Sequence, residues 1–379
     1  MKNMFLALTL AISLIACKKD TSPDPPPPPP PTNVPQVDNA VASFMTTHNV
    51  PGLSLAVTKN GKLVYAKSYG KADVGANTDV SNNSLFRIAS VSKPVTGIAI
   101  MKMVEAGQLN LDAKVFGTGN ILGTTYGNTP YGPNITNITV RQLLQHTAGG
   151  WPNDGNDPMF TNQAMNHAQL ISWTLNNRPL THTPGTNYAY SNFGYAVLGR
   201  VIEKISGQTY EQYVKTNVLQ PAGITTMTIG GDTEADRKPN EVKYYGQGGQ
   251  NPYIYKIARM DAHGGWIASA TDLAKLLVRV DGFNTKPDIL STASINTMVA
   301  PSSVANYALG WSVNNANNWW HMGSLPGTAT MIVRANNGFN WVILTNTRAV
   351  SNSYLTDLDG LLWPAVNNAS TPWPDVDLF

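Results

Sequence analysis

The chain has 379 residues, 42% of them hydrophobic and only 13% charged, with a formal charge of +3 and a mean hydropathy of −0.18. That is enough chain for one large domain or two smaller ones, too polar for several membrane spans, and too thinly basic to leave the footprint of a nucleic-acid binder. The single cysteine, Cys17, excludes an intramolecular disulfide.

The chain opens with "MKNMFLALTLAISLIAC", in which Lys2 precedes an apolar run over residues 4–16 and then Cys17. The run is short for a spanning helix, which needs about 20 residues, and has the layout of a signal peptide. "LIAC" resembles a bacterial lipobox. Residues 1–16 are therefore expected to be a lipoprotein signal peptide, and Cys17 the lipidated first residue of the mature chain. Residues 17–38 are expected to be a linker, because the seven consecutive prolines at 25–31 favour polyproline II. At about 3.1 Å per residue these form a stalk of roughly 20 Å. A stalk beside a lipid anchor is a spacer, so the expected setting is the cell envelope, with membrane attachment through Cys17.

From about residue 39 the pattern becomes that of a folded body, 39–379, without another linker or an internal repeat. "VDNAVASFMTTH" has apolar residues at helical spacing. "GLSLAVTKNGKLVYAKSYG" is two alternating runs around Asn60-Gly61, a hairpin signal. "SVSKPVTGIAIMKMVEAGQL" predicts a helix over about 90–106 that Gly107 stops. The middle mixes helices such as "TVRQLLQHT" and "YAVLGRVIEKISG" with loops rich in Gly, Asn and Pro. "GGWIASATDLAKLLVRV" predicts a strand and a helix capped by Thr271. "TATMIVRANNGFNWVILTNTR" predicts an apolar hairpin turning near Asn337-Gly338, and a last helix falls at about 353–362. Strands at both ends with helices between them predict an α+β fold: an antiparallel sheet built from both chain ends, flanked by helices. A mostly helical lobe over about 110–260 would complete it, with the active site between the two parts.

Two Ser-x-x-Lys pairs occur. Ser90 and Lys93 fall at a helix start, where residues three apart share a face and first-turn N–H groups favour developing negative charge. Ser68 and Lys71 fall on an extended run, where residues three apart point to opposite faces. Only the first pair has usable geometry. A serine needs an adjacent proton acceptor to become a nucleophile, and a lysine serves if burial keeps it neutral; an N-cap followed by a surface lysine is the plainer alternative. Tyr190-Ser191-Asn192 precedes another helix, and His321-Met322-Gly323 stands at the entry to an apolar strand. Tyr126-Gly127-Asn128 and His263-Gly264-Gly265 repeat these triplets in settings without the flanking helix or hairpin.

Taken together, Ser90/Lys93, Tyr190/Asn192 and His321/Gly323, with "FRIASVSKPVTG", "TVRQLLQHTAG", "PGTNYAYSNFGYAVLG", "HGGWIASATDLAKLL" and "GSLPG" in the same order, resemble the serine β-lactamase-like superfamily. That group comprises class C β-lactamases, D-alanyl-D-alanine carboxypeptidases, D-aminopeptidases and family VIII esterases. The resemblance covers nearly all of residues 39–365 and implies a β-lactamase/transpeptidase-like fold. It further implies Ser90 as nucleophile, Lys93 and Tyr190 sharing base and acid duty, and Asn192 on the substrate amide or the lysine. The oxyanion hole would be made by the N–H groups of Ser90 and Ser324. His321 stands where β-lactamases usually carry the lysine of Lys-Thr-Gly, which leans the expected substrate towards small peptides and esters, with a β-lactam possible. Neither a metal nor an organic cofactor is implied, and the histidines show no metal-ligand spacing. His146 invites a triad with Asp154 or Asp157, but a histidine at a helix end more often meets terminal carbonyls. Tyr244, Tyr245, Tyr253, Trp319 and Trp320 are candidate pocket residues.

Overall fold

The computed structural model describes residues 33–379; the expected signal peptide, Cys17 and the proline run lie outside the described residues. Helix α1, Pro35–His48, opens the body. Proline suits the first helical turn, where its missing donor costs nothing. Val37, Val41, Phe44 and His48 then form one buried face, and Asn49 ends the helix in the left-handed region at φ 51. Helical structure thus begins ahead of residue 39, inside the segment expected to be linker, and Val34 and Val37 are already fully buried.

Strands β1 (Gly52–Lys59) and β2 (Lys62–Asp73) pair antiparallel across Asn60 and Gly61, whose φ values of 50 and 77 suit a type I′ turn. Strands β3 (Thr78–Asp79), β4 (Ser312–Val313), β5 (Trp319–Leu325), β6 (Thr328–Arg334) and β7 (Phe339–Thr345) complete the sheet in the order β3-β2-β1-β7-β6-β5-β4. The two chain ends meet at β1 and β7, with Leu53 opposite Thr345 and Lys59 opposite Phe339. Helices that matter below are α2 (Ser92–Glu105), α3 (Val140–Leu144), α4 (Pro158–Thr161), α5 (Asn192–Ser206), α6 (Asp261–Gly264), α7 (Ala270–Leu277) and α8 (Tyr354–Gly360).

The sheet is buried on both faces, so its strands read as nearly continuous apolar runs. On the outer face Leu53, Leu55, Val57, Met331, Val333, Trp341 and Ile343 pack with Phe44 of α1 and Tyr354 and Leu358 of α8. On the inner face Ala56, Ile332, Val342 and Leu344 join the core of the helical lobe. Helix α2 sits at the centre of that lobe and is buried almost all round, from Ser92 to Met101. The cap of α7 is Ser269 rather than Thr271: Ser269 accepts from the Asp272 N–H while the Asp272 carboxylate reaches back, a complete capping box. Trp319 covers the Arg334 guanidinium and Trp320 packs into the outer core, so neither is placed as a pocket wall.

Candidate active site

The site is built where β6 meets the segment that enters α2. Inward-facing residues alternate along β6, and two of them are threonines. Thr328 donates to the Arg87 carbonyl at 2.8 Å and Thr330 to the Ile88 carbonyl at 2.8 Å. Gly323 of β5 lies against the same segment, so close that an added Cβ would fall inside the 3.0 Å limit that real Cβ atoms respect. Ala89 is held at φ 47, a conformation that costs a non-glycine residue roughly 1–3 kcal/mol. The turn Ala89–Val91 then delivers Ser90, partly open to solvent, at the start of α2.

One helical turn on, Lys93 is completely buried. Its Nζ lies 3.2 Å from Ser90 Oγ, 2.7 Å from Asn192 Oδ1 and 3.0 Å from the His263 carbonyl. Burial holds its ammonium well below the usual lysine range, against the opposing charge of Asp157. A neutral amine has two N–H donors and one lone pair. Asn192 Oδ1 and the His263 carbonyl can only accept, and they occupy both donors. The third contact is then Ser90 donating its hydroxyl proton to the lysine lone pair.

Tyr190 and Asn192 arrive together because Ser191 caps α5, its Oγ accepting from the Gly194 N–H at 3.1 Å. The Tyr190 ring lies 4.6 Å below Lys93 Nζ, and its phenol meets the Ser90 hydroxyl. Burial raises the phenol above the ordinary tyrosine range, with the Ser90 contact opposing, so the group is a protonated acid at neutral pH. His146 is neither a triad member nor a helix-end cap. Its Nδ1 accepts from the Ser191 N–H at 3.0 Å, its carbonyl accepts from Ala189, and its ring packs 4.2 Å from Tyr190. It grips the Tyr-Ser-Asn segment from both sides.

His321 lies within β5 rather than at the strand's entry. Its Nδ1 faces the Met322 carbonyl at 2.7 Å, which fixes the proton there and leaves Nε2 to accept from the Tyr307 hydroxyl at 2.9 Å. Burial, followed by the nearby Lys93, holds it down to about 3, so it contributes no positive charge at neutral pH. Ser324 is next on β5, and its Oγ accepts from Arg348 Nη1 at 3.0 Å. No carboxylate among the described residues forms an ion pair with Arg348. Phe160, Tyr255, Ile257, Met260 and Leu325 gather around Ala89 as an apolar patch at the same place.

The structure thus gathers Ser90, Tyr190 and Asn192 around Lys93, with His321 6.3 Å from the Tyr190 ring between centroids and Gly323 against the nucleophile segment. Ser68 bonds to Ser54 and Asn82, and Lys71 pairs with Asp79, so the second Ser-x-x-Lys is plain strand surface. Tyr244 and Tyr253 both pack against the Arg87 guanidinium, and Tyr245 accepts from the Val74 N–H. A cavity of about 630 Å³ lined by Thr226, Lys238, Asp272 and Lys275 lies elsewhere, and there the Asp272 carboxylate is engaged by Thr226 and by its capping partner Ser269. Two residues, Tyr307 and Arg348, escaped the sequence reading, and a third, Asp157, entered it only as a partner for His146. Asp157 holds Asn192, Tyr307 holds His321, and Arg348 holds Ser324. Asp157 stands at the start of α4, where its Oδ1 accepts from the Met159 N–H.

Comparison with known families matches residues 37–361 to Beta-lactamase. The chain belongs to the β-lactamase family. This β-lactamase-family chain is 26% identical over 328 residues to Protein flp of Staphylococcus aureus strain NCTC 8325, a match that covers 82% of the chain but only 62% of that relative's length. Among solved structures it resembles the octameric penicillin-binding protein homologue from Pyrococcus abyssi, with a TM-score of 0.72 and 25% identity over 87% of this chain and 77% of that one. The D-amino acid amidase of Ochrobactrum anthropi SV3 shares the fold, with a TM-score of 0.69 and 21% identity over 87% of this chain and 99% of that one.

Proposed function

We propose that this chain is an envelope serine hydrolase that cleaves amide or ester bonds of small substrates through an acyl-Ser90 intermediate, of the D-amino-acid peptidase, carboxypeptidase or esterase type. The observation that carries the reading is the buried Lys93, its ammonium pushed by burial well below the usual lysine range, with Nζ 3.2 Å from the Oγ of a partly exposed serine. Ser90 Oγ attacks the carbonyl carbon as its proton passes to Lys93. The N–H groups of Ser90 and Ser324 hold the resulting oxyanion, at about 2.7–4 kcal/mol per donor in comparable acyl transfer. Tyr190, kept protonated by burial, gives its proton to the departing amine or alkoxide. Water then attacks the acyl-enzyme as its proton passes to the Tyr190 phenolate, and Ser90 leaves with the proton that Lys93 has held, which restores all three groups. The D-amino acid amidase likeness supports the amide side of the reading.

A class C-like β-lactamase, or a penicillin- or cell-wall-peptide-binding protein without turnover, is the second reading. Arg348 beside Ser324 favours it, because it offers a cation for a carboxylate where His321 offers none. Intact-mass spectrometry against p-nitrophenyl esters, D-amino-acid amides and penicillins decides. The hydrolase reading expects a transient acyl adduct from esters or amides that Ser90→Ala abolishes. A penicillin adduct that forms and never leaves, with no ester or amide turnover, would overturn it.

A further inference from the structure

The cavity of about 630 Å³ that lies away from Ser90 has walls fixed by the fold. Leu85 donates its N–H to the Asn240 carbonyl at 2.8 Å and accepts from the Val242 N–H at 3.0 Å. Thr228 pairs with Ile267, and Ser269, two residues further on, caps α7. Lys238 and Lys275 line the cavity, and among the described residues neither ammonium forms an ion pair or donates a hydrogen bond. The acids around them are already engaged. Glu211 pairs with Lys215 at 2.7 Å and accepts from Thr228 of the lining. Glu241 takes the Lys238 N–H and the Tyr244 hydroxyl, each at 2.8 Å. Asp272 Oδ2 takes the hydroxyls of Thr226 and Ser269. Lys243 and Lys256, from the same stretch of chain as Lys238, do find partners, in Glu234 and Asp232. Two cations against the single lining carboxylate of Asp272 leave the cavity with positive charge that the chain does not balance.

We propose that this cavity is a second binding site, separate from Ser90, for an anionic carbohydrate: a sugar unit that carries a carboxylate or a phosphate. Its volume falls within the range of about 300–1,000 Å³ typical of small-molecule pockets, more than a bare inorganic anion fills. Lys238 and Lys275 supply charge-assisted contacts to the anionic group. The rest of the lining suits the body of a sugar. Asn83 and Asn240 offer carboxamides that both donate and accept, as ring hydroxyls do, and Thr225 and Thr271 add hydroxyls of their own. Leu85 and Pro239 give apolar surface for the C–H face of the ring. The proposal is independent of the acyl-transfer reading, because none of these residues belongs to the cluster around Lys93.

Saturation-transfer NMR and calorimetric titration of the full chain with glucuronate, glucose 6-phosphate, glucose and inorganic phosphate test it. At least one of the two anionic sugars should bind at least about tenfold tighter than glucose and than phosphate alone, the scale of one charge-assisted contact; which of the two binds identifies the anionic group. Added salt should weaken the binding. Lys238→Ala combined with Lys275→Ala should remove the advantage over glucose, and Ser90→Ala should leave it intact. If the alanine pair does not fold, Lys238→Gln with Lys275→Gln keeps the stems and drops the charge, and the same loss is expected. Failure of both anionic sugars to bind, or binding that survives neutralising both lysines, would overturn the proposal. Phosphate binding as tightly as the sugar phosphate would reduce the site to an anion hole and overturn the carbohydrate assignment. Sugar binding lost in Ser90→Ala would place the ligand at the active site and overturn the second site.

Discussion

Burying Asp157 beside the catalytic cluster should carry a measurable thermodynamic cost. Burial pushes its carboxyl from 3.8 up to about 6, and the hydrogen bonds from Asn192 and Met159 and the nearby Lys93 only partly offset this. Because the folded pKa lies above the unfolded one, the folded state binds more protons between roughly pH 4 and 6, and stability falls as pH rises through that window. A shift of about two units at 1.36 kcal/mol each gives about 3 kcal/mol in full, and about 2–3 kcal/mol between pH 4 and 7. Asp157→Asn removes this titration. Its pH-independent costs, including the disturbed hydrogen bonds, cancel when the variant and wild type are compared at both pH values. The expected result from urea unfolding is therefore a double difference: relative to wild type, the variant gains about 2–3 kcal/mol on going from pH 4 to 7. Lys93, Asp154, Arg259 and Tyr190 are the charged or titratable groups facing Asp157. A double difference near zero would show that Asp157 titrates normally and that its surroundings are wetter than the packing implies.

Gly323→Ala should force β5 away from Ile88 and Thr330, costing about 1–3 kcal/mol of stability and, through a shift of about 1 Å at the oxyanion site, about 10² in kcat/KM; steady-state kinetics and unfolding curves check both, and an unaffected variant would mean the close approach is not functional. His321→Gln should leave the pH profile of kcat/KM unchanged in shape, because the wild-type imidazole is already neutral above about 3; a lost limb between pH 5 and 7 would identify His321 as a titrating group. Cys17→Ser should release the protein from host membranes into the soluble fraction, and continued sedimentation with membranes would refute the lipid anchor.

Local rules were legible wherever one short segment decides its own geometry. Asn60-Gly61 announces the β1–β2 hairpin, and Ser90 with Lys93 announces itself because a helix start aligns positions three apart. The α+β organisation followed from strands at both chain ends. The rest depends on contacts remote in sequence. Asp157 reaches Asn192 across 35 positions and Arg348 reaches Ser324 across 24, and neither loop has a periodic pattern that reveals its aim. His146 was misjudged for a related reason: a helix-end position suggests nearby carbonyls, whereas its ring nitrogen is taken by a segment 45 residues away. Residues 35–38 fell inside the expected linker, yet proline at 35 starts a helix, because its fixed φ suits the first helical turn.

The floor beneath Ser90 comes from the other end of the polypeptide. Until residues 328–345 have been made and have paired with β1, Arg87 and Ile88 lack the two threonine hydroxyls that pin them, and the amine–alcohol pair rests on nothing. A nascent or truncated chain should therefore be chemically silent. For the envelope hydrolase proposed above, that order of assembly delays activity until the whole chain has been delivered.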